Sequence, residues 1–390
     1  MPASRTTPRC IAPPPSIGDD PAVSARALPI LAAVCGVLIA IAAGACAGGG
    51  RDRGGEDTAP ASGDGEAGSV FARHPYLARV TETTARLRWI ARAGARVRVV
   101  AITPEGATVR AQRGDFRDLR PGTRHRWIAT VDGAPAAEGS FTTAPLDLSQ
   151  PLDLIAFGDT GAGNTSSRAV ARLAAGEEAR MLLSAGDNAY PFLAPRFLDD
   201  RIFGPLAPVL GRMPNIGALG DHDILLPAGR AALVEAFEWP GGGERYALRH
   251  GPLQVVVLGL EADAADLAFA RRAFARRGPL ARIVLVHRPL QPGNPLLPLI
   301  RRARVTAVVA GHLHAYERRT AAEAPTTPMF TVGTGGAPRN PDRTPCSDDA
   351  DAHIPAFGLL RIRLHGGSAE YAFVDTDGAV RDRFTAPLRP

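Results

Sequence analysis

The sequence predicts an α/β domain preceded by a small antiparallel β-sandwich, and three observations carry that prediction. Residues 70–146 alternate apolar and polar side chains between Pro/Gly turns, the period of half-buried strands. Residues 150–388 interleave short, continuously apolar runs with segments of helical spacing, the pattern of β-α-β units. Five of those apolar runs lead at once into a carboxylate or an imidazole, four of them behind a glycine.

The chain of 390 residues has room for roughly two or three domains. Near its start, residues 27–46, "ALPILAAVCGVLIAIAAGAC", form an apolar stretch preceded by Arg26 and closed by small residues. This reads as an export signal, although about twenty apolar residues also span a bilayer, so an uncleaved anchor remains open. The ending "AAGAC" before "AGGG" resembles a bacterial lipoprotein cleavage site with Cys46 as the lipidated residue; Ala43 stands where that signal usually has a larger aliphatic. The expectation for 1–46 is a signal or anchor, and for the protein an extracytoplasmic place in the cell envelope, with secretion as the alternative. Residues 47–69, "AGGGRDRGGEDTAPASGDGEAGS", cannot bury a core and read as a flexible tether.

The four cysteines, Cys10, Cys35, Cys46 and Cys346, leave two after cleavage, too few for a disulfide framework or a cysteine-based zinc cluster. All 45 basic residues are arginine, and the net charge is +6. The arginines are scattered among acids with no basic run carrying aromatics, which argues against a nucleic-acid reader. Nothing in the sequence sets an oligomeric state.

Within 70–146 the strand candidates are "ARVTETTARLRWIA", "ARVRVVAITP", "RHRWIATVDG" and "EGSFTTAP". Turn signals separate them at Pro104-Glu105-Gly106, Pro121-Gly122 and Asp132-Gly133. Trp89 and Trp127 are expected in the core, and the segment carries no evident chemistry. In 150–388, "LDLIAF" (152–157) is a buried-strand run, "SRAVARLAAGEEAR" (167–180) has helical spacing, and "MLLSA" (181–185) is the next strand. Later come strand "RIVLV" (282–286), helical "PLLPLIRRAR" (295–304) and strand "VTAVVA" (305–310).

The chemistry sits at the ends of these runs. Gly158-Asp159 follows "LDLIAF"; Gly186-Asp187, with Tyr190, follows "MLLSA"; Gly220-Asp221-His222-Asp223 follows "NIGAL" (215–219). His287 follows "RIVLV", and Gly311-His312-Leu313-His314 follows "VTAVVA". Sites in open α/β sheets form beyond the carboxyl ends of the strands, so parallel strands would gather these groups at one edge. In an extended segment His312 and His314, two apart, would face the same way toward one target. Each residue alone has a plainer reading, as a turn, a cap or a satisfied core group. Together, carboxylates crowded at a low-dielectric edge repel unless cations join them. Four oxygen donors and three imidazoles exceed one coordination shell, so a pair of bridged ions is expected.

The order GD…GDxxY…G(N/D)H(D/E)…H…GHxH resembles the calcineurin-like metallophosphoesterases. The tyrosine of "GDNAY" and the glycine of "GDTG" make it similar to the purple acid phosphatase branch; most of the wider superfamily has histidine where this chain has Gly161. The resemblance covers about 150–388, including "MFTVGTGGAP", "FGLLRIRL" and "YAFVDTDG". It implies a four-layer β-sandwich flanked by helices, with a fibronectin type III-like domain over 70–146. By position, Asp159, Tyr190 and His314 would bind the first metal, Asp187 would bridge, and Asp221, His287 and His312 would bind the second. Fe(III) is implied at the tyrosine site and Zn, Mn or Fe(II) at the other. The implied activity is hydrolysis of small phosphate monoesters by water that the metal pair activates.

Two departures accompany the resemblance. The family usually has asparagine at Asp221, so Asp159, Asp187, Tyr190 and Asp221 supply four negative charges where the pattern supplies three. The expectation is a weaker Lewis acid and a more neutral pH optimum. The segment "RPLQPGNP" (288–295) also lacks the histidine often found after His287. His222 is then the candidate for contacting phosphate or protonating the leaving oxygen. Arg339 and Arg343, in irregular 336–352, are candidates for meeting an anionic substrate. A phosphodiesterase or nucleotidase is the nearest alternative, and a non-catalytic surface binding module the alternative of another class.

Overall fold

A computed structural model describes residues 70–276, 278, 280–338 and 344–388. The apolar stretch 27–46, Cys46, the tether 47–69, Arg339 and Arg343 lie outside the described residues. Among the described residues no helix is long and apolar enough to cross a membrane.

The first seven strands form two antiparallel sheets. One orders β1 (Phe71–Val80), β2 (Ala85–Ala91) and β5 (Asp115–Phe116); the other orders β4 (Thr108–Arg110), β3 (Val97–Ile102), β6 (Arg124–Val131) and β7 (Ala134–Thr142). Alternation places Leu77, Leu87, Phe116, Trp127 and Phe141 in one shared core. Trp89 departs from expectation: it is half-buried and packs against that core from its edge. The middle of β1, residues 75–78, is buried on both faces, with Leu77 in this core and Tyr76 and Ala78 in the core of the following α/β part. Hydrogen bonds join the two parts: Tyr76 Oη donates to Ala236 O (2.7 Å) and Trp127 Nε1 to Gly211 O (2.8 Å).

The α/β part stacks two sheets. The six-stranded sheet orders β10 (Asn215–Gly217), β9 (Leu182–Ser184), β8 (Leu152–Phe157), β18 (Gly358–His365), β19 (Ser368–Asp375) and β20 (Val380–Pro387), with β8, β9 and β10 parallel. The seven-stranded sheet orders β11 (Tyr246–His250), β12 (Leu253–Val257), β13 (Ala281–Leu285), β14 (Ala307–Ala310), β16 (Pro328–Val332), β15 (Tyr316–Thr320) and β17 (Ala350–Ile354). Its strands β12, β13, β14 and β16 are parallel.

The period of two explains the stacking. Val255, Val257, Ile283, Leu285 and Val309 join Leu154, Phe157 and Leu183 in the core between the sheets. Their neighbours Val256, Val284 and Val308 face the other way and pack with Ala270, Ala273, Leu297 and Ile300. Those partners come from helices whose places in the chain are α5 (Ala264–Phe274) and α6 (Leu296–Arg302), after α1 (Thr165–Ala175), α2 (Ala207–Leu210), α3 (Asp221–Ile224) and α4 (Pro227–Phe237). Each such fully buried valine contributes about 1.5–3 kcal/mol relative to exposure, which is why these strands read as unbroken apolar runs. Helix α1, capped by the Asn164 side chain accepting from Ser167 N (2.8 Å), buries Val170, Ala171 and Ala174.

Candidate metal centre

The expected convergence onto one sheet edge takes a different form. The runs ending at Asp159, Asp187 and Asp221 belong to β8, β9 and β10 of one sheet, while those ending at His287 and His312 belong to β13 and β14 of the other. Stacking brings the carboxyl ends of both sheets together, and all seven expected donors meet there.

The turns after these strands are sharp. Asp159, Asp187 and His312 adopt positive φ (57°, 50° and 70°). A non-glycine residue held there costs on the order of 1–3 kcal/mol, less for aspartate. Gly220 shows how closely the loops approach: a Cβ there would sit 2.0 Å from Asp187 Oδ1. At Gly161, φ is +65° and a Cβ would meet Asn188 O at 2.1 Å, so this chain has no room for a side chain at that position. His312 and His314 are not on an extended segment. Three-residue turns (Leu313 N to Gly311 O and Ala315 N to Leu313 O, both 2.8 Å) bend it, and the two rings serve different halves of the cluster.

In the first half the Tyr190 hydroxyl lies 3.1 Å from Asp159 Oδ1, 2.9 Å from Asp187 Oδ2 and 3.2 Å from His314 Nε2. His314 Nε2 is 3.2 Å from Asp159 Oδ1. In the second half Asp221 Oδ1 lies 3.1 Å from both His287 Nε2 and His312 Nδ1. Asp187 belongs to both, its Oδ1 standing 3.6 Å from His287 Nε2. Backbone amides fix the carboxylates: His312 N donates to Asp159 Oδ2 and His222 N to Asp187 Oδ1, both at 2.9 Å. His287 Nδ1 donates to Ala185 O at 2.8 Å, which aims Nε2 at the centre.

The electrostatics are those of buried carboxylates crowded together, an arrangement that favours bound positive charge. Asp159 and Asp187 are 0% and 2% exposed, and among the described residues no arginine pairs with either. Burial, with the charges of Asp159 and Asp221, pushes the Asp187 carboxyl up. Burial and the two neighbouring carboxylates hold the Tyr190 phenol far above its ordinary value. The hydrogen bond from His287, then the charges of His287 and His312, hold Asp221 below the usual carboxylate range. Burial opposes protonation of His287, but Asp221, Asp159 and Asp187 outweigh it and raise its pKa to about 9. Asp159–Asp187–His287, Asp221–His287–His312 and Asp187–Asp221–His222 each place three donor atoms within 4.8 Å of one another, a carboxylate and imidazole set that suits a bound divalent cation.

His222 stands at the rim, one-third exposed. Its Nδ1 donates to Pro191 O (2.6 Å), leaving Nε2 4.0 Å from both Asp187 Oδ2 and Asp221 Oδ2. Beside His312 a cleft of about 300 Å³ is lined by Arg288, Glu261, Gln291 and Asn294, with Arg288 paired to Glu261 at 2.7 Å.

Sequence reasoning assigned no role to Asp223 or Asn188. The fully buried Asp223 accepts from Asn188 N (2.9 Å), Asn188 Nδ2 (2.8 Å) and Gly220 N (2.9 Å), and so clamps the loop carrying Asp187 to the loop carrying Asp221. Burial, then the charge of Asp187, raises its pKa to about 7 against those hydrogen bonds. Both residues sit inside the quoted motifs; the missed signal was a second acid two places after Asp221.

No protein-family model and no curated protein matches the sequence. Solved structures do share the fold. The purple acid phosphatase PPD1 from yellow lupin seeds superposes with a TM-score of 0.65 at 17% identity, over 80% of this chain and 74% of that one. PhoD gives 0.62 at 10% identity, over 83% and 91%. GAP50, the anchor in the inner membrane complex of Plasmodium, gives 0.51 at 14% identity, over 62% and 90%. At these identities the likeness concerns the fold.

Proposed function

We propose that this protein is a metal-dependent phosphatase that hydrolyses small phosphate monoesters. The observation that carries the reading is the meeting of Asp159, Asp187, Tyr190, Asp221, His287, His312 and His314 from two sheets in two adjoining donor sets that share Asp187. Fold likeness to a purple acid phosphatase supports it.

Asp159, Tyr190 and His314 would hold one cation, Asp221, His287 and His312 the other, with Asp187 between them. The Tyr190 phenol resists ionisation in its anionic surroundings. Only a strongly Lewis-acidic ion displaces its proton, which favours Fe(III) there; the mixed carboxylate–imidazole set suits Zn, Mn or Fe(II). Such a pair, when bound, activates water and offsets charge on the phosphoryl group in transfer. The chain's own residues do the rest. The amides of His312 and His222 lock the orientations of Asp159 and Asp187. Ala185 O fixes the His287 ring. His222, held through Nδ1, presents Nε2 at the rim, where it can give a proton to the leaving oxygen. Arg288, Gln291 and Asn294 offer polar groups to the alcohol portion of a substrate in the cleft beside His312.

The reading includes export and tethering through residues 27–46, argued from sequence alone. Its test is the metal-reconstituted protein assayed with para-nitrophenyl phosphate and with the bis ester. Preferential turnover of the monoester is expected. Preference for the bis ester replaces it with a phosphodiesterase, and turnover of neither, with metal bound, leaves a binding module.

A further inference from the structure

We propose that Glu317, His353 and Cys346 form a separate site for one divalent cation of the zinc type. Glu317 on β15 and His353 on β17 are cross-strand partners, and His353 Nδ1 lies 3.0 Å from Glu317 Oε1. Cys346, on the segment that returns to β17, completes the group: one sulfur, one imidazole nitrogen and one carboxylate oxygen lie within 4.8 Å of one another. Among the described residues, no hydrogen bond or ion pair joins Glu317 or His353 to any of the seven donors above.

Burial makes the group more than a surface coincidence. Glu317 and His353 are 1% and 6% exposed, and Cys346 is half-buried. Among the described residues the only ionisable partner of Glu317 within ion-pairing distance is His353. Its other bonds come from Ser347, through N to Oε1 (2.9 Å) and through Oγ to Oε2 (2.7 Å). A carboxylate so enclosed calls for a positive charge beside it, from a proton on the imidazole or from a metal. Thiolate, imidazole and carboxylate are the three donor types of zinc, and three protein ligands leave a fourth position open. Zinc bonds of about 2.0–2.1 Å to nitrogen and oxygen set a tetrahedral edge of about 3.3 Å, close to the 3.0 Å observed. Binding through sulfur as thiolate would release the Cys346 thiol proton to solvent. It would pin the 344–349 segment to β15, which begins two residues after His314.

The test uses the full chain, stripped by chelator and reloaded with Co2+ alone. Thiolate–cobalt charge transfer gives a near-ultraviolet band; the dinuclear donors contain no sulfur, and comparison with Cys346→Ser separates this site from the other three cysteines. The expected result is a band in the parent that Cys346→Ser abolishes, with about one equivalent of metal lost in that variant and in His353→Gln. Absence of the band, or its survival in Cys346→Ser, overturns the proposal. Alkylation of Cys346 in the unmodified chain gives an answer independent of variant folding. Zn2+ is expected to slow it about tenfold or more by occupying the thiolate, and an unchanged rate overturns the site.

Discussion

The Tyr190 hydroxyl stands 2.9 Å from Asp187 Oδ2, with both groups sealed from solvent. A phenol placed against buried carboxylates keeps its proton unless a cation takes the proton's place. Tyr190→Phe is therefore expected to keep the fold, to bleach the visible tyrosinate absorption of iron-loaded protein, and to lower kcat by about tenfold or more. A coloured, fully active Tyr190→Phe protein would remove Tyr190 from the centre.

Asp221 gives the second expectation. Its Oδ1 is shared by His287 and His312 at 3.1 Å each, so its charge bears most directly on the second donor set. An extra anion weakens the Lewis acidity of what is bound there. Asp221→Asn should move the acid limb of the pH–rate profile down by about one unit. The same substitution should loosen the second metal in chelator competition. A profile that stays in place means the added charge does not tune the reaction.

Much of this was legible because strands buried on both faces leave unbroken apolar runs, and a polar residue directly after such a run stands out. Asp159, Asp187, Asp221, His287 and His312 were found that way. The division of those five strands between two sheets was not legible, since a parallel strand reads alike in either. The bend at His312 escaped because its positive φ is imposed by tertiary contacts rather than by residue type. Trp89 escaped because alternation gives the face of a strand and not how far the neighbouring sheet extends over it. The cross-strand placement of Glu317 and His353 needed the register of β15 and β17, which no local pattern encodes.

The Asp223 clamp tests whether the loops, and not only the donors, define the centre. Both Asp223 oxygens accept from N–H groups of Asn188 or Gly220, so an amide must turn its NH2 toward a donor. Asp223→Asn should cost on the order of 1–3 kcal/mol of stability and lower affinity for the second metal about 10–100-fold. Thermal melting and chelator competition measure the two effects. Lost stability with unchanged metal affinity would make Asp223 a core residue with no part in positioning.

His250 supplies a pH dependence remote from the metals. It is wholly buried and bonds Val80 O through Nδ1 at 3.0 Å; burial lowers its pKa to about 4. In the unfolded chain it titrates near 6.5. A histidine with a depressed folded pKa contributes stability that is complete above about 6.5 and is lost as pH falls toward 4, where the unfolded state takes the proton first. Between pH 7 and 5 the loss is about 2 kcal/mol, or about 3 °C in Tm for a folded part of this size. His250→Asn keeps an N–H for Val80 O but cannot take up a proton, so its Tm should fall less over that range, whatever its value at pH 7. Parallel Tm–pH lines for parent and variant would show that acid destabilisation arises elsewhere. A shallower line would mean that working at acid pH costs this fold stability at the contact between β11 and β1.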